Sequence, residues 1–255
     1  MTIYFGPWDV VFLLAVPVQA TSIAYLHAPR AKALVYSLPI PFSLATLAVG
    51  AGIDATNVVG MILTLGYTHA VNQLYNRLRV PIVLSIVLSG LAYGLAGWAL
   101  APVLPKTDAM YWGSLAAAFV IALVLFLTTP HRPEPGHRSP LPVWVKFLCI
   151  FVVIAGLVVV KSALQGFVTM FPMVGLIAAY EARTCLRTIC RQVPVLMLGM
   201  IPMLAILRLA QGPLGLPPAL LLGWAAYLSV LIPLMYTQWR TDLAATVENN
   251  GDPAR

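Results

Sequence analysis

The sequence predicts an all-α, polytopic membrane protein of nine transmembrane helices, in an order that admits an inverted repeat of four, one and four. Three observations predict it. Of 255 residues, 60% are hydrophobic and only 9% are charged, with a mean hydropathy of +0.90. An ordinary soluble domain is about 25% charged, so this chain cannot clothe a soluble surface. The apolar residues also gather in runs near the ~20 residues that a spanning helix needs. Finally, the few basic residues lie between those runs, with a strong bias to one side. A soluble enzyme, a disordered chain and a nucleic-acid binder are excluded. The net charge of +7 belongs to loops and sets orientation rather than a DNA-binding face.

The first half, residues 1–103, holds four apolar stretches, at 8–26, 33–53, 56–75 and 80–103. MTIYFGPWDV carries no lysine or arginine, so it lacks the basic region of a secretory signal. The first stretch is therefore expected to remain as a span. The third is the most polar. The fourth follows Pro81 and contains SGLAYGLAG, where Gly90 and Gly94 have the small-xxx-small spacing of close helix packing. Residues 104–142 comprise a connecting helix at 110–128 and the linker TPHRPEPGHRSPLP, whose prolines stiffen it into a spacer. The second half, 143–238, holds stretches at 143–160, 162–180, 193–207 and 214–236, the third of these being the shortest. Met197, Met200 and Met203 on it read as lipid-facing or core filler. Trp239 and Arg240 suit a membrane interface, and 239–255 reads as a polar cytoplasmic tail whose last ten residues, TVENNGDPAR, are expected to fray.

Only Lys161 separates the sixth and seventh stretches, and the charge count decides between one span and two. Nine spans put twelve of the 15 basic residues on one side and leave Lys106, Lys161 and Arg208 on the other. A single span at 143–180 would bury Lys161 and divide the rest almost evenly. Cytoplasmic loops carry the excess of Lys and Arg. The N-terminus is therefore expected outside and the C-terminus in the cytoplasm.

Segment 30–48 aligns with 161–179: Arg30 lies over Lys161 and Pro41 over Pro172, while Pro81 and Pro213 each open the last helix of a half. Such prolines can coincide by chance in apolar sequence, and the two readings stand level. If the halves are duplicated, the single connecting helix makes the second run opposite to the first. Proline-interrupted helices at matching positions in inverted repeats are a mark of secondary transporters.

The run KSALQGFVTMFPMVGLIAAY resembles the GlpM-like bacterial inner-membrane proteins. The matching features are Lys161, Gly166, Phe171-Pro172, Leu176-Ile177-Ala178 and Tyr180, with Leu186-Arg187-Thr188 and Ile201-Pro202 beyond it. The likeness covers residues 145–236, and this chain is about twice the length of those proteins. It implies a bacterial inner membrane and an envelope context, and no mechanism.

Polar side chains inside spans are costly and tend to face cavities. His69, Asn72, Gln73 and Asn76 fall at i, i+3, i+4 and i+7, one helical face of the third span. They read either as a solute path, with His69 able to carry a proton, or as an interhelical hydrogen-bond seam. Lys161 and Gln165 could meet an anionic group, though a snorkelling lysine explains the first as well. Tyr180 and Glu181, with Arg183, read as a gate or as interfacial anchors. Together with the breaks at Pro41 and Pro172 these are the candidate pathway residues. No zinc or disulfide pattern joins Cys149, Cys185 and Cys190, and no HExxH, GxSxG or P-loop motif occurs. No enzyme activity, metal or cofactor is expected.

The expected function is a small permease for a polar or anionic solute, with a non-transporting subunit of an envelope complex as the alternative. The expected partners are the bilayer and a small solute, and a homo-oligomer stays open. A reporter fused within residues 129–142 should report the cytoplasm; an external signal would overturn the orientation.

Overall fold

The computed structural model of the chain describes residues 5–25, 35–129, 142–181, 183–184 and 186–250. Most of the proline-rich linker (130–141), Cys185, the chain beyond 250, and Arg30, Lys32, Arg132, Arg138 and Arg255 of the charge count lie outside the described residues. Within them the chain is helical and shows no strand.

The helices are α1 (Pro7–Tyr25), α2 (Ile40–Val49), α3 (Ala55–Asn76), α4 (Ile82–Leu100) and α5 (Asp108–Thr128), followed by α6 (Val143–Leu164), α7 (Gly166–Thr169), α8 (Met173–Glu181), α9 (Leu186–Leu214) and α10 (Leu216–Asn250). Their ends follow local chemistry. The Asp54 carboxylate and the Asn57 amide form a capping box at the start of α3. Thr107 caps α5, and Gly50 closes α2 with a left-handed φ of 66°. Pro81 and Pro142 immediately precede α4 and α6, where a missing N–H removes nothing from the helix.

Among the described residues five helices are long and apolar enough to cross a membrane: α4, α5, α6, α9 and the Leu216–Tyr236 stretch of α10. Val35–Val49 and Gly166–Glu181 are shorter apolar stretches. Although α6 is the most apolar of the five, only 28% of its spanning window is buried. Its Val152 and Val159 face outward, as do Leu91, Leu95 and Trp98 of α4 and Val120 and Leu127 of α5. An apolar exterior of this extent needs lipid rather than water.

Several expected boundaries shift. The sixth and seventh stretches divide at Gln165 (φ 50°), not at Lys161, which belongs to the last turn of α6. The chain reverses there. Lys146 near the start of α6 meets Glu181 at the end of α8 at 2.6 Å. The second and seventh stretches are each broken rather than continuous. A helical turn at 35–37 precedes α2, and 170–172 divide α7 from α8. The expected shortest stretch, 193–207, lies inside the 29-residue α9. Its Pro194 and Pro202 are accommodated within the helix, and its methionines are buried in the core rather than facing lipid. Helix α10 runs on to Asn250, into the expected frayed tail.

Long-range polar contacts gather the helix ends into two sets. One set joins Asp9 at the start of α1 to Lys161 at the end of α6, and Arg208 late in α9 to Asp108 and to the Ile53 carbonyl. The other joins Lys146 to Glu181, and Gln192 early in α9 to Ser37 before α2. These are called below the Asp9 end and the Lys146 end. Between them lie two cores. One is centred on α3, α5, α9 and α10, the other on α1, α4, α6, α7 and α8.

Lys146 and Glu181 are 2% and 4% exposed, and the two charges compensate one another. Removing one partner of a buried pair typically costs about 3–5 kcal/mol, whereas replacing both by apolar groups is often neutral. Glu181→Gln should lower unfolding stability in detergent by that order. The double variant Lys146→Met/Glu181→Leu should recover most of it.

Candidate functional site

The two broken helices meet. Pro41 lies in the first turn of α2, and Pro172 immediately precedes α8, so each opens the second piece of its helix. Between them is a cavity of about 90 Å³. Pro39, Pro41 and Phe42 line one side, and Thr169, Met170 and Pro172 the other. Met61 and Thr64 of α3 and Met197 and Met200 of α9 complete the wall. The Tyr36 ring reaches it too, with its hydroxyl near Gly175. The sequence pairing of Pro41 with Pro172 is thus a spatial one.

A break in a helix frees carbonyls, which in an apolar interior need donors. Side chains supply them here. The Tyr93 hydroxyl of α4 donates to the Phe167 carbonyl at 2.9 Å, and Thr64 donates to the Met170 carbonyl at 2.5 Å. At the other break the Tyr227 hydroxyl of α10 donates to the Ser37 carbonyl, and the Gln19 amide donates to the Val35 carbonyl at 3.0 Å. Two glycines admit these rings. A Cβ on Gly60 would come within 3.1 Å of the Tyr93 oxygen, and one on Gly199 within 2.8 Å of the Tyr227 ring.

The reversal at Gln165 is held from α3. The Gly166 amide donates to the Thr56 hydroxyl at 3.1 Å, and the Asn57 amide donates to the Thr169 hydroxyl at 2.9 Å. Asp54 accepts from the Thr56 amide and hydroxyl, so the α3 capping box also anchors α7. A Cβ on Gly166 would lie 2.7 Å from the Asn57 amide carbon, so only glycine fits. Asp54, Thr56, Asn57 and Thr169 were not among the sequence candidates. The Asp-x-x-Asn spacing of a capping box was their one visible sign.

The remaining candidates fall elsewhere. Lys161 neither snorkels nor waits for an anion. Its ammonium donates to both Asp9 oxygens at 2.7 and 2.6 Å and to the Ala48 carbonyl at 3.0 Å. Asp9 is 1% exposed and also accepts from the Gly6 amide. Gln165 occupies the reversal, with its buried side-chain oxygen unpartnered among the described residues. The His69 face does not reach the cavity. His69 Nδ1 lies 3.0 Å from the Leu65 carbonyl, which can only accept, so Nδ1 carries the proton. Asn72 accepts from Asn76 at 2.7 Å, and Gln73 is exposed. Tyr180 is half-buried under the Arg183 guanidinium, 5.1 Å from the ring centre. Glu181 is held by Lys146. Among the described residues no cluster of His, Cys, Asp or Glu could hold a metal ion.

No protein-family model, no curated protein and no solved structure matches the chain.

The tyrosine latches should carry stability. Leaving a buried carbonyl without its donor costs about 1–3 kcal/mol. Tyr93→Phe and Tyr227→Phe should each destabilise the folded protein by that order in detergent unfolding, while His69→Ala should change it by less than about 0.5 kcal/mol.

Proposed function

We propose that the chain is a nine-pass inner-membrane protein built as an inverted repeat, and that it works as a small permease with its solute site at the cavity between the two helix breaks. The observation that carries this reading is the meeting of the Pro41 and Pro172 breaks at one cavity. Proline-opened half-helices facing each other across the membrane interior are the arrangement in which transporters hold solutes.

The packing supports the repeat. Pairing α1 with α6, α2 with α7 and α8, α3 with α9 and α4 with α10 maps most neighbours onto neighbours. The α1–α2 contact matches α6–α8, α3–α4 matches α9–α10, and α4–α8 matches α10–α2. The connecting helix α5 packs on both α3 and α9. Tyr93 and Tyr227 each stand eleven residues past the start of their helices and latch opposite breaks. The two sets of helix ends support nine alternating passes, and the outward apolar faces support the bilayer. The charge bias supports a cytoplasmic Lys146 end. The bacterial inner membrane comes from the GlpM-like resemblance.

The cavity wall narrows the solute. It offers Thr64, Thr169 and Tyr36 among apolar groups and no cation, and Lys161 is occupied by Asp9. A small uncharged solute suits it better than an anion. One observation favours a non-transporting envelope subunit instead: the carbonyls freed at both breaks are largely satisfied by side chains.

Thiol accessibility separates the two readings without knowledge of the solute. In a chain with Cys149, Cys185 and Cys190 replaced by Ser, Met61→Cys and Met200→Cys are placed in the cavity wall. A permease should show labelling by small water-soluble thiol reagents from both sides of sealed vesicles. Absence of labelling from either side would favour the sealed subunit.

A further inference from the structure

A second concavity is larger than the cavity at the breaks. It is a groove of about 870 Å³ between α4 and α6, floored by α8. Val87, Leu91 and Leu95 line one wall, Cys149 and Val153 the other, and Phe171 and Leu176 the floor. Val87, Leu91 and Leu95 are exposed, so the groove faces the surroundings of the protein. Along α4 it runs from Val83 to Trp98, about 22 Å at 1.5 Å per residue. That exceeds the ~15 Å depth of one leaflet of hydrocarbon.

The ends of the groove differ. Gly90 approaches Phe171 and Leu176, while Gly97 approaches Phe167, so α4 runs antiparallel to α7 and α8. The start of α4 therefore lies with Tyr180, Glu181 and Lys146. Lys146 and Tyr180 line the groove at this end, and the Arg183 guanidinium lies over Tyr180. Glu181 neutralises Lys146. Arg183 Nη1 is buried and has no hydrogen-bond partner among the described residues. Arg77 and Arg79, both exposed, stand just before α4. Beside the lining at this end the arginines thus leave an excess of positive charge, with Arg183 reaching the groove through the Tyr180 ring it covers.

An apolar groove of acyl-chain length, open to the side and ending at cations, has the complementarity of one kind of molecule. We propose that it seats an anionic phospholipid, with an acyl chain between α4 and α6 and the phosphate at Arg183. The inference does not rest on transport. It needs only the bilayer.

Native mass spectrometry of the full-length chain in mild detergent, titrated with phosphatidylglycerol or with phosphatidylcholine of the same chains, tests it. Phosphatidylglycerol should bind about fivefold more tightly, the effect of one basic residue beside an anionic headgroup. Arg183→Gln should bring the two lipids to parity, and Arg183→Lys should keep the preference. Val87→Trp, which fills the groove, should weaken retention of both. Equal binding of the two lipids by the wild type would overturn the proposal. So would a preference untouched in a folded Arg183→Gln protein, or retention unchanged by Val87→Trp. If Arg183→Gln does not fold, the wild-type comparison and Val87→Trp decide.

Discussion

A backbone carbonyl released inside an apolar protein must find a donor, and much of this fold is arranged around that demand. Two helices are interrupted near prolines, and each interruption frees oxygens within a mostly apolar interior. The donors come from other helices. Tyr93 reaches across from α4 and Tyr227 from α10, each passing a glycine that leaves room for it. Thr64 and Gln19 satisfy further carbonyls. The breaks are therefore specified states with fixed partners. Any opening of the cavity between them must exchange these bonds as well as separate the surfaces.

Electrostatics holds the same elements at their ends. Helix α6 carries a lysine near each terminus, Lys146 buried and Lys161 partly so, and each is matched by a carboxylate from a different helix. Asp9 on α1 meets Lys161, and Glu181 on α8 meets Lys146. Charges in such surroundings contribute little net stability as pairs and are expensive singly. Their effect is to specify which helix ends meet, and with it the antiparallel course of α1 and α8 along α6. The groove proposed to hold a lipid lies against this same helix. Glu181 is paired with Lys146, while Arg183 Nη1 has no hydrogen-bond partner among the described residues.

The helices were legible because long apolar runs admit few alternatives, and the prolines were visible as possible breaks, although Pro194 and Pro202 sit inside an unbroken helix. Pro41 and Pro172, which the sequence offset aligns, line one cavity. The boundaries were less visible. Lys161 looked like a turn residue because it is charged, but its charge is met by Asp9, 152 positions earlier, which no local pattern reveals. Gln165 turns the chain through its backbone, and nothing in its side chain announces that. The polar face of His69, Asn72 and Gln73 stood out by spacing, yet its bonds are local. The side chains that hold the breaks, Tyr93 and Tyr227, read as ordinary aromatics in apolar helices. Their role depends on what faces them, and that is a property of tertiary packing.

The capping box at the start of α3 has a consequence in time. Thr56 and Asn57 find their partners at Gly166 and Thr169, and Asp9 finds its own at Lys161. During synthesis at about 5–20 residues per second, the partner of Asp9 is made roughly 8–30 s after it. Until then the first half carries an uncompensated carboxylate and unmet polar groups at the mouth of α3. These contacts of the first half wait for residues of the second, so its polar closure comes late in synthesis.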